Sequence, residues 1–188
     1  MMATAENKLL WQTFLQEYGG SSMNQKDAVE LDVEQALFPI PARAAAETWS
    51  RTQRTKAVKQ ALVDLAKKYG CKTAASQCKT EQESEWLYDV VWFQSDDSND
   101  LIDVPLVVES EWLGENNLKD DFQKLLVARA KHRLMVFQGR SEKEVRMIFD
   151  SMRGWIRKYH GTAKEDRYLL AGWTGSDTNR FLFDLYVH

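Results

Sequence analysis

Cysteine is scarce: Cys71 and Cys78 are the only two in 188 residues. Two thiols cannot build a disulfide framework, and no second ligand pair accompanies them to complete a zinc site, so both are expected to be reduced and structural. Long apolar runs are also missing. Glu6 and Lys8 stand where a signal peptide needs an apolar core, and nothing approaches membrane-spanning length, so a soluble cytoplasmic protein with no membrane partner is expected. Of the nine glycines, Gly114, Gly139 and Gly172 are isolated and form no phosphate loop. The three histidines, His132, His160 and His188, have no Ser or Cys nucleophile at motif spacing, which leaves a hydrolase triad without support. Charge of one sign is lacking too. A net charge of −3 argues against coating nucleic acid by bulk electrostatics but leaves room for a local basic face.

What is present suits a globular protein with a sizeable core: 44% of residues are hydrophobic and 28% charged. Leu10, Phe14 and Tyr18 predict an amphipathic helix over 5–18, stopped by Gly19-Gly20. Val29, Val33, Ala36 and Leu37 predict a second over 27–37, ended by Pro39 and Pro41. Residues 1–41 are therefore expected to form a helical N-terminal extension, and 42–188 an α/β domain. A long helical pattern over 42–69, broken near Ser50, carries Arg43, Arg51, Arg54, Lys56, Lys59, Lys67 and Lys68 on its polar side. A solvated face explains these cations at least as well as a nucleic-acid contact. Trp49, beside Arg51 and Arg54, can stack on a base, although tryptophans more often pack in cores.

After Gly70 the pattern turns to strands. Cys71–Lys79 and Glu85–Gln94 read as β, with Leu87, Asp89, Val91 and Phe93 on one face, so Asp89 is an acid on an apolar face that needs a partner. The polar segment 95–100 is a turn that sends the next strand back antiparallel. That strand, DVPLVVESEWLG over 103–114, places Val107, Glu109 and Glu111 on one face. Carboxylates two residues apart on a strand have Cα atoms about 6.5 Å from each other and repel by roughly 2 kcal/mol at an effective dielectric near 20. Water, a basic partner or a metal ion must offset that. Asp89 is expected to converge with them.

A helix capped by Asn116 or Asn117 follows, with Leu118, Phe122, Leu125 and Leu126 as its buried stripe. Arg133–Phe137 reads as a strand parallel to the acidic one, reached by a crossover. Ser141 with Glu144 signals the start of a helix carrying Val145, Ile148, Phe149, Met152, Ile156 and Tyr159. Strands over 168–174 and 181–187 close the chain as a hairpin.

The order helix, strand, Asp-bearing strand, Glu-x-Glu strand, helix, strand resembles the PD-(D/E)XK nuclease superfamily, on Asp89 in YDVVW, Glu109 and Glu111 in PLVVESEW, and Gln123-Lys124 in DFQKLL. The likeness covers roughly 42–138. It implies a restriction-endonuclease-like core, a central mixed β-sheet flanked by helices, joined to the α-helical N-terminal part. It also implies that Asp89 and Glu109 hold Mg²⁺ (or Mn²⁺), with Glu111 where the family usually has Lys. Lys124 or Gln123 would contact phosphate or support the site, and Glu47 loosely matches an additional helical acid of some members. Independently, hard oxygen ligands on strands suit Mg²⁺, which activates a bound water and stabilises charge on a phosphate. The expected activity is metal-dependent hydrolysis of DNA, with Arg51, Arg54, Lys59 and Arg129 as weaker nucleic-acid contacts. The alternatives are a non-catalytic module of the same fold that binds nucleic acid or protein, and a protein partner met through the N-terminal helices. A homodimer is compatible with each.

Overall fold

Apolar residues recurring with helical and then strand periodicity give an α/β protein, and its computed structural model describes residues 26–78, 80, 85–112, 115–175 and 178–188. The helix expected over 5–18 lies outside them. Helix α1 (Ala28–Leu37) begins at Asp27, whose side chain accepts from Val29 N and Glu30 N while Glu30 reaches back to Asp27 N, a reciprocal cap. The pattern expected over 42–69 is two helices, α2 (Ile40–Ala46) and α3 (Arg51–Ala66), the second capped by Ser50. The break expected near Ser50 is present.

Six strands form one mixed sheet in sequence order: β1 (Lys72–Ala74), β2 (Val90–Ser95), β3 (Leu101–Glu111), β4 (His132–Gln138), β5 (Arg167–Trp173) and β6 (Phe181–Val187). β1, β2 and β3 are successively antiparallel, β3, β4 and β5 are parallel, and β6 returns antiparallel. The parallel pairs require crossovers, supplied by α4 (Glu115–Val127) and α5 (Glu142–Lys158). The expected parallel neighbour of the acidic strand and the closing hairpin are both observed. Asn116 and Asn117, expected as caps, fall inside α4.

Alternation along the strands divides the core by face. Val90, Trp92, Leu106 and Val108 pack with Val33 and Leu37 of α1 and Val58 and Leu62 of α3. Val91, Phe93, Val107 and Met135 pack with Phe122 and Leu125 of α4 and Ile148 and Met152 of α5. Gly172 lets α5 lie close to the sheet, since a Cβ there would collide with Val145 and come within 2.9 Å of Phe137 Cζ. Cys71 and Cys78 are free and buried, and burial pushes both thiols up. Among the described residues no helix is long and apolar enough to cross a membrane.

Candidate functional site

The strand expected from Glu85 begins only at Val90, so residues 86–89 form a bend and Leu87 is 77% exposed rather than facing the core. Strand alternation therefore does not govern Asp89. Its carboxylate turns to the α3 side of β3, where Oδ2 accepts from Ser110 N (2.8 Å) and Ser110 Oγ (2.6 Å). Oδ1 lies 3.1 Å from Lys59 Nζ. Ser110 shares its face with Leu106 and Val108, which explains the direction of this contact.

Lys59, expected on a basic polar face, is only 5% exposed. It stands one and two turns before Val63 and Ala66, in the buried stripe of α3. Its ammonium meets Glu85 and Asp89 and lies 3.3 Å from Ser76 Oγ, and Ser76 in turn donates to Glu85 at 2.6 Å. Burial alone would lower its pKa, but the Glu85 and Asp89 contacts outweigh burial and raise it. The cation is thus committed to these acids rather than offered to a phosphate backbone. Its spacing to Val63 and Ala66 was the available signal.

Glu109 obeys the alternation and points with Val107 to the α4 side. It is 4% exposed, and Lys124 Nζ of α4 lies 3.3 Å from Oε1, an atom with no hydrogen bond of good geometry. Burial first, and then the nearby Asp89 charge, pushes its carboxyl up to about 8 against the pull of Lys124. Lys124 is also held by Asp121, one turn back, at 2.7 Å. Burial would lower the lysine, yet Asp121 and Glu109 hold it above the usual lysine range. Asp89 and Glu109 are therefore close in charge but engage different helices. Ser110 and Asp121 complete the arrangement and were not singled out from sequence.

Glu111, at the end of β3, is half-buried and opens onto a cleft of about 570 Å³ with Arg51, Arg54, Trp112 and Arg140. This cleft lies beyond the carboxyl ends of the parallel strands, the usual place for ligands in open α/β sheets. The three acids do not converge as expected: among the described residues, only Asp27, Glu30 and His132 bring three candidate metal-ligand atoms within 4.8 Å of one another. That trio sits at the opposite end of the sheet. Arg167 donates to both Glu30 oxygens at 2.6 Å, and His132 Nδ1 lies 3.2 Å from Glu30 Oε1. Burial would raise Glu30, but these bonds hold it down at about 2, and Glu30 with His132 and Arg167 staples α1 to β4 and β5.

Glu47 ends α2, exposed, and accepts from Trp49 Nε1 at 2.7 Å rather than joining the acids. Arg54 stacks over Trp173, 4.9 Å from its centroid, and donates to Gln138 at 2.8 Å. Gln123 is exposed on α4. Arg129 lies at the far end of the sheet, beside Asp103 and Asp166, because α4 runs back along β3 and delivers its C-terminus there. It thus sits at the end of the sheet that carries the staple, away from Glu109. Comparison of the chain with protein-family models, curated proteins and solved structures finds no match.

Proposed function

We propose that the protein is a metal-dependent nuclease of restriction-endonuclease-like fold, hydrolysing phosphodiester bonds of DNA beside Asp89, Glu109 and Glu111. The observation that carries this reading is Glu109: a carboxylate nearly removed from solvent, raised to about 8 by burial and Asp89, with an oxygen lacking a well-formed hydrogen bond. Lys124 offsets only part of the cost of a desolvated carboxyl beside Asp89, so Glu109 stays protonated near neutral pH unless a further cation joins it, and perturbed groups of this kind mark functional sites. The element order from α3 through β4, with three antiparallel strands followed by a parallel one, supports the same reading.

Glu109 and Asp89 Oδ1 are hard oxygen donors of the kind Mg²⁺ or Mn²⁺ takes, and an ion shared by both would require Lys59 to release Asp89 and the two carboxylates to draw together; when bound, such an ion would supply charge stabilisation at a phosphate and an acidified water. The chain's own groups do the rest. Ser110 fixes Asp89 through two hydrogen bonds to Oδ2, leaving Oδ1 to Lys59. Lys124, paired with Asp121 and Glu109 but half-exposed, would turn to a phosphate oxygen once an ion takes Glu109, and the exposed Arg51 would bind the strand at the cleft. Glu111, at the mouth, accepts the proton of the attacking water.

A second reading, a non-catalytic nucleic-acid-binding or protein-interaction module, is favoured by the closed Lys59–Asp89–Ser110 network and by the separation of the three carboxylates. Cleavage of plasmid and single-stranded circular DNA with Mg²⁺ or Mn²⁺ decides between them. Wild type should cleave, and Asp89→Ala and Glu109→Ala should not while remaining folded; cleavage retained in both variants removes the assignment.

A further inference from the structure

The arginines at the cleft differ from many others in the chain. Arg133 pairs with Asp166, Arg153 with Asp184 and Arg167 with Glu30, whereas Arg51, Arg54 and Arg140 pair with no carboxylate among the described residues. Arg54 Nε is buried without an acceptor. These three guanidiniums outnumber the two carboxylates of the cleft, Glu111 and Glu144, and Glu144 already accepts from Arg140 N, so the cleft favours an anion at Arg51 and Arg140.

Trp49 lines this cleft and a second one of about 660 Å³, which also shares Arg54, Gln138 and Arg140. Its placement is built rather than incidental. Thr48, a β-branched residue, takes a φ of 51°, a strained turn that ends α2 and sets the direction of Trp49. Glu47 holds the indole N–H, and the Arg43 guanidinium lies 5.2 Å from the ring centroid. With its N–H satisfied, Arg43 over the ring and the indole half-buried against the core, what Trp49 has left to offer a ligand is the part of its π surface that lines the clefts.

We infer that this Arg51–Arg140–Trp49 cleft, next to Glu111, binds one unpaired nucleotide of a nucleic-acid strand, the base stacked on Trp49 and its phosphates on the arginines. The inference rests on the proposed nuclease reading for the identity of the strand. Clefts of a few hundred cubic ångströms hold a small ligand, and a base stacked inside a duplex presents no free face to an indole. The substrate class is thus single-stranded DNA, or a strand end or unpaired position, rather than continuous duplex.

The test is fluorescence anisotropy of a labelled oligothymidylate bound to the full chain in EDTA, with cleavage assayed separately. Wild type should bind it more tightly than a blunt duplex of equal length. Trp49→Ala should weaken binding about tenfold, and Trp49→Phe should retain most of it. Arg51→Ala with Arg140→Ala should weaken binding and reduce the salt dependence of log K by about 1.4. Variants that bind like wild type, preference for duplex, or a Trp49→Phe loss as large as that of Trp49→Ala would overturn the inference. Because binding is read without metal, a failed cleavage assay with intact Trp49-dependent binding sinks the nuclease and leaves the subsite. Cleavage with Trp49-independent binding does the reverse.

Discussion

Lys59 Nζ stands 3.1 Å from Asp89 Oδ1, so the acid expected to hold a metal is already neutralised by a buried ammonium from α3. A bound divalent ion at Asp89 and Lys59 then compete for one oxygen. Lys59→Met should cost about 3 kcal/mol in metal-free buffer, because it strands Asp89 and Glu85 without their cation. Mg²⁺ should restore more stability to Lys59→Met than to wild type, read as the shift in Tm. Equal shifts would mean that no ion takes the place of the ammonium.

Glu109 sets a pH dependence of definite sign. Its folded-state pKa, about 8, lies above the unfolded value of 4.5, so the folded state binds more protons between the two. Stability from this group is complete below about pH 4.5 and is lost as pH rises through 8. At pH 7 the cost is on the order of 3 kcal/mol relative to acid. Glu109→Gln should therefore gain on wild type steadily from pH 5 to 8 in urea titrations, and parallel profiles would contradict the burial of this charge.

The Glu30–Arg167 pair should behave in the opposite sense. Glu30 is held at about 2, so its contribution is present above 4.5 and is lost as pH falls toward 2. Removing one partner leaves a buried, uncompensated charge. Arg167→Met should cost about 3–5 kcal/mol by urea denaturation at pH 7, and a loss below 1 kcal/mol would mean that α1 is held by its apolar stripe alone.

Gly172→Ala tests the close approach of α5 to β5. The added methyl meets Val145 and Phe137, so the helix must shift, with an expected loss of about 1–3 kcal/mol and a lower Tm. An unchanged Tm would show that the helix has room to move.

Helices with long apolar stripes and strands with regular alternation were legible in the sequence: α5 through Val145, Ile148, Phe149, Met152 and Ile156, and β3 through Leu106 and Val108 against Val107 and Glu109. The site was legible in its acids but not in their partners. Strand alternation gives Asp89 the direction of Val91, whereas the bend over 86–89 frees it to reach Ser110 and Lys59. Lys59 is hidden among the cations around it because a single lysine in an apolar stripe looks like the edge of a basic face. Arg129 and the Glu30–His132–Arg167 staple depend on strand direction and on partners more than a hundred residues apart, which local periodicity does not encode.

The most direct measurement is a calorimetric titration of MnCl₂ or MgCl₂ into wild type and Glu109→Gln in two buffers of different ionisation enthalpy, at pH 7. The account predicts saturable binding to wild type with release of close to one proton, because the Glu109 carboxyl must ionise to take the ion, and loss of that binding in Glu109→Gln. No binding to wild type, or binding of equal strength and proton release in the variant, would contradict a metal site at Glu109.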